Sequence, residues 1–218
     1  MRFDGRALLH ACVNGSSELM SNVSMSLVGM LYNVQLMKYA GEDGVAAYGV
    51  LMYVNFVFVS IFIGYSTGSA PIVGYHYGAQ DHKEMRGLRQ KSLVIIGVIS
   101  VAMLILAEAL ARPLSMMFVG YDEALMTMTH RGFLISSFSF LFAGLAIWGS
   151  SFFTALGNGL VSALISFLRT LVFQIAAVIV FPLIWELDGI WLSVVVAEIM
   201  AAALSLVLLF AMRKKYRY

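Results

Sequence analysis

The chain has 218 residues, 61% hydrophobic and only 12% charged, against roughly 25% charge in a soluble domain; a soluble core of this size would leave a surface that needs more charge to stay solvated. A net charge of +2, with its basic residues dispersed, excludes the contiguous basic surface of a nucleic-acid binder. One cysteine, Cys12, excludes an internal disulfide and a sulfur-ligated metal site, and reads as a small packed residue.

The first apolar stretch follows Arg2 and Arg6 and soon meets Asn14, Ser16, Ser17 and Glu18. It lacks a clean small-residue cleavage site, so it reads as a retained span rather than a signal peptide. Asn14, Glu18, Asn22, Ser26, Gly29 and Asn33 recur every three or four positions and share one helix face. At 1.5 Å per residue Glu18 lies about 15 Å from the start of its span, near the middle of a ~30 Å hydrocarbon core, where a carboxylate is costly. Such a face cannot point at lipid, so it lines a wet cavity or a helix interface. Two readings stay open. In one, the amides are interhelical glue and Glu18 is a neutral buried acid. In the other, Asn14, Asn22, Ser26 and Asn33 line a cavity in which Glu18 handles a cation.

A spanning helix needs about 20 mostly apolar residues, and six stretches meet that length, at about residues 8–37, 45–75, 92–110, 125–148, 160–185 and 190–212. The expected fold is an all-α membrane protein, with residues 1–218 forming a single six-transmembrane-helix bundle. The second span carries Asn55, a further candidate for the cavity lining. It also carries two close glycine pairs, Gly64 with Gly68 and Gly74 with Gly78, that let helix backbones approach, with Pro71 between them expected to kink or end the helix. Turn formers and charges coincide between the spans, at Gly41-Glu42-Asp43-Gly44, residues 78–90, residues 112–123, Gly157-Asn158-Gly159 and Glu186-Leu187-Asp188-Gly189.

Six spans put both termini on one side of the membrane. That side collects Arg2, Arg6, Lys83, Arg86, Arg89, Lys91, Arg213, Lys214, Lys215 and Arg217, while the other holds Lys38, Arg112 and Arg131. The positive-inside rule then makes both termini cytoplasmic, in a multi-pass protein of the plasma (cytoplasmic) membrane, the inner membrane of a cell that has two.

Arg169 and Glu198 fall inside neighbouring spans at similar depth, and mutual compensation as a structural ion pair is the usual way such charges survive in a bundle. Abundant methionine and aromatic residues, among them Phe56, Phe58, Phe138, Phe140, Phe142 and Trp148, suit lipophilic cations but also ordinary packing against lipid. Gly64-Tyr65-Ser66-Thr67-Gly68 matches the G-x-S-x-G pattern of serine hydrolases, yet it lies late in an apolar helix rather than on a strand-to-helix turn, so no enzyme is expected. His76 and His82 lack the i, i+4 spacing of a zinc helix, and no metal site is expected.

Three segments resemble the multidrug and toxic compound extrusion (MATE) family. Asn33, Gly41 and Val45-Ala46-Ala47-Tyr48-Gly49 are similar to the family's turn between its seventh and eighth helices. Ala70-Pro71-Ile72-Val73-Gly74-Tyr75-His76-Tyr77-Gly78-Ala79 looks like the cytoplasmic end of its eighth helix, with His76 where asparagine is frequent. Phe152-Phe153-Thr154-Ala155-Leu156-Gly157-Asn158-Gly159, followed by Ser166, Arg169, Phe173 and Pro182, is similar to its tenth-to-eleventh helix junction. The resemblance implies the C-terminal lobe of a twelve-helix exporter built from two parallel repeats around a cleft. It further implies antiport of organic cations or drugs against H⁺ or Na⁺, with no cofactor beyond that ion. Glu18 matches an acidic residue that some members carry on the seventh helix, whereas the first-helix aspartate of other members has no counterpart here. Expected partners are the lipid bilayer, small lipophilic or cationic substrates, and a second copy or an absent N-terminal half. The alternatives are a flippase for a lipid-linked saccharide and a truncated membrane fragment that transports nothing.

Overall fold

The computed structural model describes residues 5–216; the side chains of residues 6–11, 13, 14, 16–18, 20, 21 and 214 lie outside that description. The long apolar runs are helical throughout, because hydrocarbon offers no partner to a free N–H or C=O and a helix satisfies both within one segment.

Helix α1, Gly5–Gly78, is two helices joined across a break at Gly41, whose φ of 63° falls in the left-handed region that glycine enters freely. The two arms fold back on each other. Tyr32 and Tyr48 stack with ring centroids 5.2 Å apart, whereas an unbroken helix would separate them by about 24 Å. Pro71 does not end the second arm, which runs on to Gly78; in a membrane helix the carbonyl that proline frees can be satisfied by neighbours.

After a turn at residues 79–81, Asp81 caps α2, His82–Val119, by accepting from the Glu84 N–H. This helix takes in the basic run 83–91, so those charges lie along its first turns rather than in a loop. Asp122 caps α3, Glu123–Ser137, accepting from the N–H groups of Ala124 and Leu125. A short break then bends the chain by 51° into α4, Phe140–Ala155.

Asn158 starts α5, Gly159–Phe167, which continues without a turn through a π-helical segment, Leu168–Phe173, into α6, Gln174–Val180. Helix α7, Pro182–Ala211, breaks at Trp185 and Glu186. Glu186 adopts φ 48° although it is not glycine. A last turn, α8, Arg213–Tyr216, is tied back by the Asn158 amide donating to the Tyr216 hydroxyl at 2.7 Å. With α1 counted as two arms and α3 with α4 as one bent span, the described residues form an all-α bundle of six membrane helices.

Helix α4 lies at the centre, packed chiefly on α1 and α7, with Phe140, Ala146, Trp148, Phe152 and Phe153 buried. Close approach requires small residues along this span. A Cβ at Gly144 would fall 2.5 Å from Cε1 of Phe62 on α1, and one at Gly149 would fall 3.0 Å from Cβ of Ser205 on α7. Buried hydroxyls add directional links: Ser150 bonds Ser162 and Ser166 across α4 and α5 at 2.9 Å each. Gly144→Ala is therefore expected to destabilise the fold by about 1–3 kcal/mol through overpacking against Phe62. Gly64→Ala, on an exposed stretch with nothing within 4 Å, leaves the fold intact. Thermal unfolding of the detergent-solubilised protein checks the pair, and equal midpoints would remove the close-approach argument.

Candidate functional site

The first arm of α1 has two faces. Ser24, Val28, Tyr32 and Leu36, spaced by four, are buried against the bundle. Asn22, Ser26 and Asn33 are exposed on the remainder, and the Ser26 hydroxyl donates to the Asn22 carbonyl at 3.4 Å. Asn55 is exposed on the second arm. The side chains of Asn14 and Glu18 lie outside the described residues. Methionines surround the polar positions, with Met25, Met30 and Met37 all exposed. The exposed surface is thus soft and apolar but punctuated by amides.

Cys12 is exposed rather than packed. The aromatic residues divide: Phe58, Phe140 and Trp148 are buried in the core, while Phe56 and Phe138 are exposed. The Gly64-Tyr65-Ser66-Thr67-Gly68 run sits in continuous helix with the Ser66 side chain buried, without the strand and sharp turn that a nucleophile elbow needs.

The structure brings Arg169 and Glu198 together. Arg169 Nε donates to both carboxylate oxygens of Glu198, at 3.1 and 2.9 Å, and its second guanidinium nitrogen lies 2.8 Å from Oε1. This fork is the bidentate geometry that makes arginine pairs strong. Arg169 belongs to the π-helical segment, whose wider turn adds a residue to the register and is common where a helix carries function.

Two further polar clusters escape a reading by charge and periodicity. The buried Tyr32 hydroxyl donates to Oε1 of Gln174 at 2.8 Å and lies 2.7 Å from the hydroxyl of Ser193, joining α1, α6 and α7. Glu108 on α2 is hydrogen-bonded by the Ser137 hydroxyl at the end of α3. On the exposed surface, Arg131 of α3 pairs with Asp188 of α7. Among the described residues no three of His, Cys, Asp and Glu are gathered as metal ligands would be.

Breaking the Arg169–Glu198 pair from one side strands a charge in the bundle. Arg169→Met alone is expected to cost about 3–5 kcal/mol, and Arg169→Met with Glu198→Leu markedly less than the sum of the two single changes. Unfolding titrations in mixed micelles measure this, and additive losses would show that the two groups do not compensate each other.

The chain matches the MatE family over residues 19–180. No curated protein matches it in sequence. Among solved structures, it is similar to an outward-facing multidrug resistance MATE family transporter of the MOP superfamily, at 18% identity and a TM-score of 0.90, covering 99% of this chain and 49% of that one. It is similar to a MOP superfamily transporter from Pyrococcus furiosus, at 19% identity and a TM-score of 0.89, covering 99% and 49%. The Vibrio cholerae MATE transporter VcmN in its bent form gives 17% and 0.89, covering 98% and 48%. The chain spans about half the length of these structures, and at such identities the likeness concerns the fold. With the family match extending over most of its length, the chain belongs to the MatE family of multi-pass membrane transporters, and its fold is that of half a MATE transporter.

Proposed function

We propose that this chain is one lobe of a cation-coupled exporter of organic cations or drugs, completed by a second lobe that faces the polar side of α1. The observation that carries this reading is the exposure of Asn33 and Asn55 on membrane helices. Amides cannot face hydrocarbon unsatisfied, so they call for a wet cleft or a facing lobe. The exposed methionines beside them suit varied lipophilic substrates. Glu18, on the same arm, supplies the proton or sodium site that couples export to an ion gradient. Asn14, Asn22, Ser26, Asn33 and Asn55 line the cleft, and Arg169 with Glu198 stays a structural pair.

A lipid-linked saccharide would bring negative charge, which favours free basic groups in the cavity; Arg169, the deep arginine, is instead occupied by Glu198. Both termini face the cytoplasm of the plasma membrane, on the side where Lys83, Arg86 and Lys91 gather; Arg2, Arg6, Lys214 and Arg217 share that side but their side chains lie outside the described residues.

Cation-dye transport by vesicles containing only this chain tests the reading. A proton or sodium gradient is expected to drive dye movement in the wild type, and Glu18→Gln to reduce it to the level of empty vesicles. Cys12, exposed on the first arm, then reports the second lobe: a bifunctional maleimide is expected to link two copies. Equal dye movement in wild-type, Glu18→Gln and empty vesicles would sink autonomous transport by this lobe.

A further inference from the structure

The 51° bend between α3 and α4 leaves a specific debt at the Leu134 carbonyl. In a continuous helix that carbonyl would accept from the Phe138 N–H. Here the Phe138 N–H turns to the Ser136 carbonyl instead. The Ser137 hydroxyl takes its place, lying 2.8 Å from the Leu134 oxygen. The same hydroxyl also contacts Oε1 of Glu108 on α2. Both atoms that Ser137 touches are acceptors when Glu108 is ionised, yet a hydroxyl has one hydrogen to give.

All the groups are satisfied together in one protonation state. A protonated Glu108 donates to the Ser137 oxygen, and the Ser137 hydrogen stays on the Leu134 carbonyl. An ionised Glu108 draws the Ser137 hydrogen to itself and leaves the Leu134 carbonyl without a donor. Ser137 is buried and Glu108 half-buried, and Ser137 lies about 21 Å along α3 from the start of that helix. Water therefore does not readily replace the lost donor.

We propose that Glu108 and Ser137 form a proton-binding site whose occupancy sets the bend between α3 and α4. Binding places a proton from water on the Glu108 carboxylate and returns the Ser137 hydrogen to Leu134. Release takes that hydrogen away and favours rewinding of the break, so that the Phe138 N–H recaptures Leu134 and α4 swings toward the axis of α3. Because α4 is packed on α1, where Gly144 meets Phe62, and on α7, the swing is transmitted to the second arm of α1. The site is separate from Glu18 and stands whether or not Glu18 couples transport.

Other charged and titratable groups around the site are few. The second arm of α1 brings only tyrosine hydroxyls over residues 45–75, and α4 brings none. Helix α3 brings His130, two turns outward on the face of Ser137, with Arg131 held by Asp188 on the exposed surface. Helix α2 itself brings Arg112, one turn outward of Glu108.

Spin labels at Thr127→Cys on α3 and Leu160→Cys just beyond α4, both exposed, in a Cys12→Ser background, report the bend in lipid nanodiscs. The wild-type distance is expected to shift by a few ångströms between acidic and alkaline buffer. Glu108→Gln keeps the low-pH distance throughout, because its amide N–H still donates to Ser137, and it removes a carboxylic acid band from the pH-difference infrared spectrum. Ser137→Ala keeps that band but holds one distance at every pH, and His130→Gln shifts as the wild type does. A wild-type distance that ignores pH, a Glu108→Gln protein that still shifts, or loss of the shift in His130→Gln would each overturn the proposal.

Discussion

Hydrocarbon leaves no polar group a default partner, and most features of this bundle answer that constraint. Every apolar run is helical because a helix is the segment that closes its own backbone bonds. Where a helix ends or breaks, a side chain takes over: Asp81 and Asp122 cap N-termini, and the Ser137 hydroxyl caps the carbonyl freed at the bend. Where a charge enters the apolar zone it is met, as Arg169 is by Glu198. Packing obeys the same rule indirectly. Lipid is as apolar as leucine, so burial of apolar surface does not drive helices together. Close contact over Gly144 and Gly149 and hydroxyl links among Ser150, Ser162 and Ser166 do that work.

How much of this was legible in the sequence depends on whether the signal was local. The fold class follows from apolar length and from charged breaks, both of which lie within short windows. Gly41 marks a turn by its residue type and its charged neighbours. Arg169 and Glu198 can be matched because opposite charges at similar depth announce each other. Glu108 and Ser137 are separated by the same 29 positions as that ion pair, yet a neutral hydroxyl carries no such signal, and serines are common along these helices. The Tyr32, Gln174 and Ser193 network is less legible still, since its members lie up to 161 positions apart and each reads singly as ordinary. Pro71 shows the opposite error. Its ring suggests a kink or a stop, and the stop does not occur, because membrane helices have neighbours that tolerate a freed carbonyl.

The candidate site divides along the same line. Periodicity assigns Asn22, Ser26 and Asn33 to one strip, and the structure finds all three exposed while Ser24, Val28, Tyr32 and Leu36 are buried. Spacing does not say which faces are buried. Aromatic content illustrates that limit, because Phe56 and Phe58 stand two positions apart and one is exposed while the other is in the core.

The asymmetry of α1 also separates stability from transport. Its buried face joins a bundle tied by polar links among its own helices, such as Tyr32 to Gln174 and Ser193 and Arg169 to Glu198. Its exposed face presents amides that the lobe itself leaves outside. A structure satisfied on one side and open on the other can be held by its own core while the open side is filled, in turn, by water, substrate or a facing lobe. Alternating access in two-lobed transporters needs that combination: rigid halves whose shared surface is weakly committed. The bend at Ser137 lies in the central span that packs on α1 and α7, so a change there is passed to the helix that carries the open face rather than to lipid.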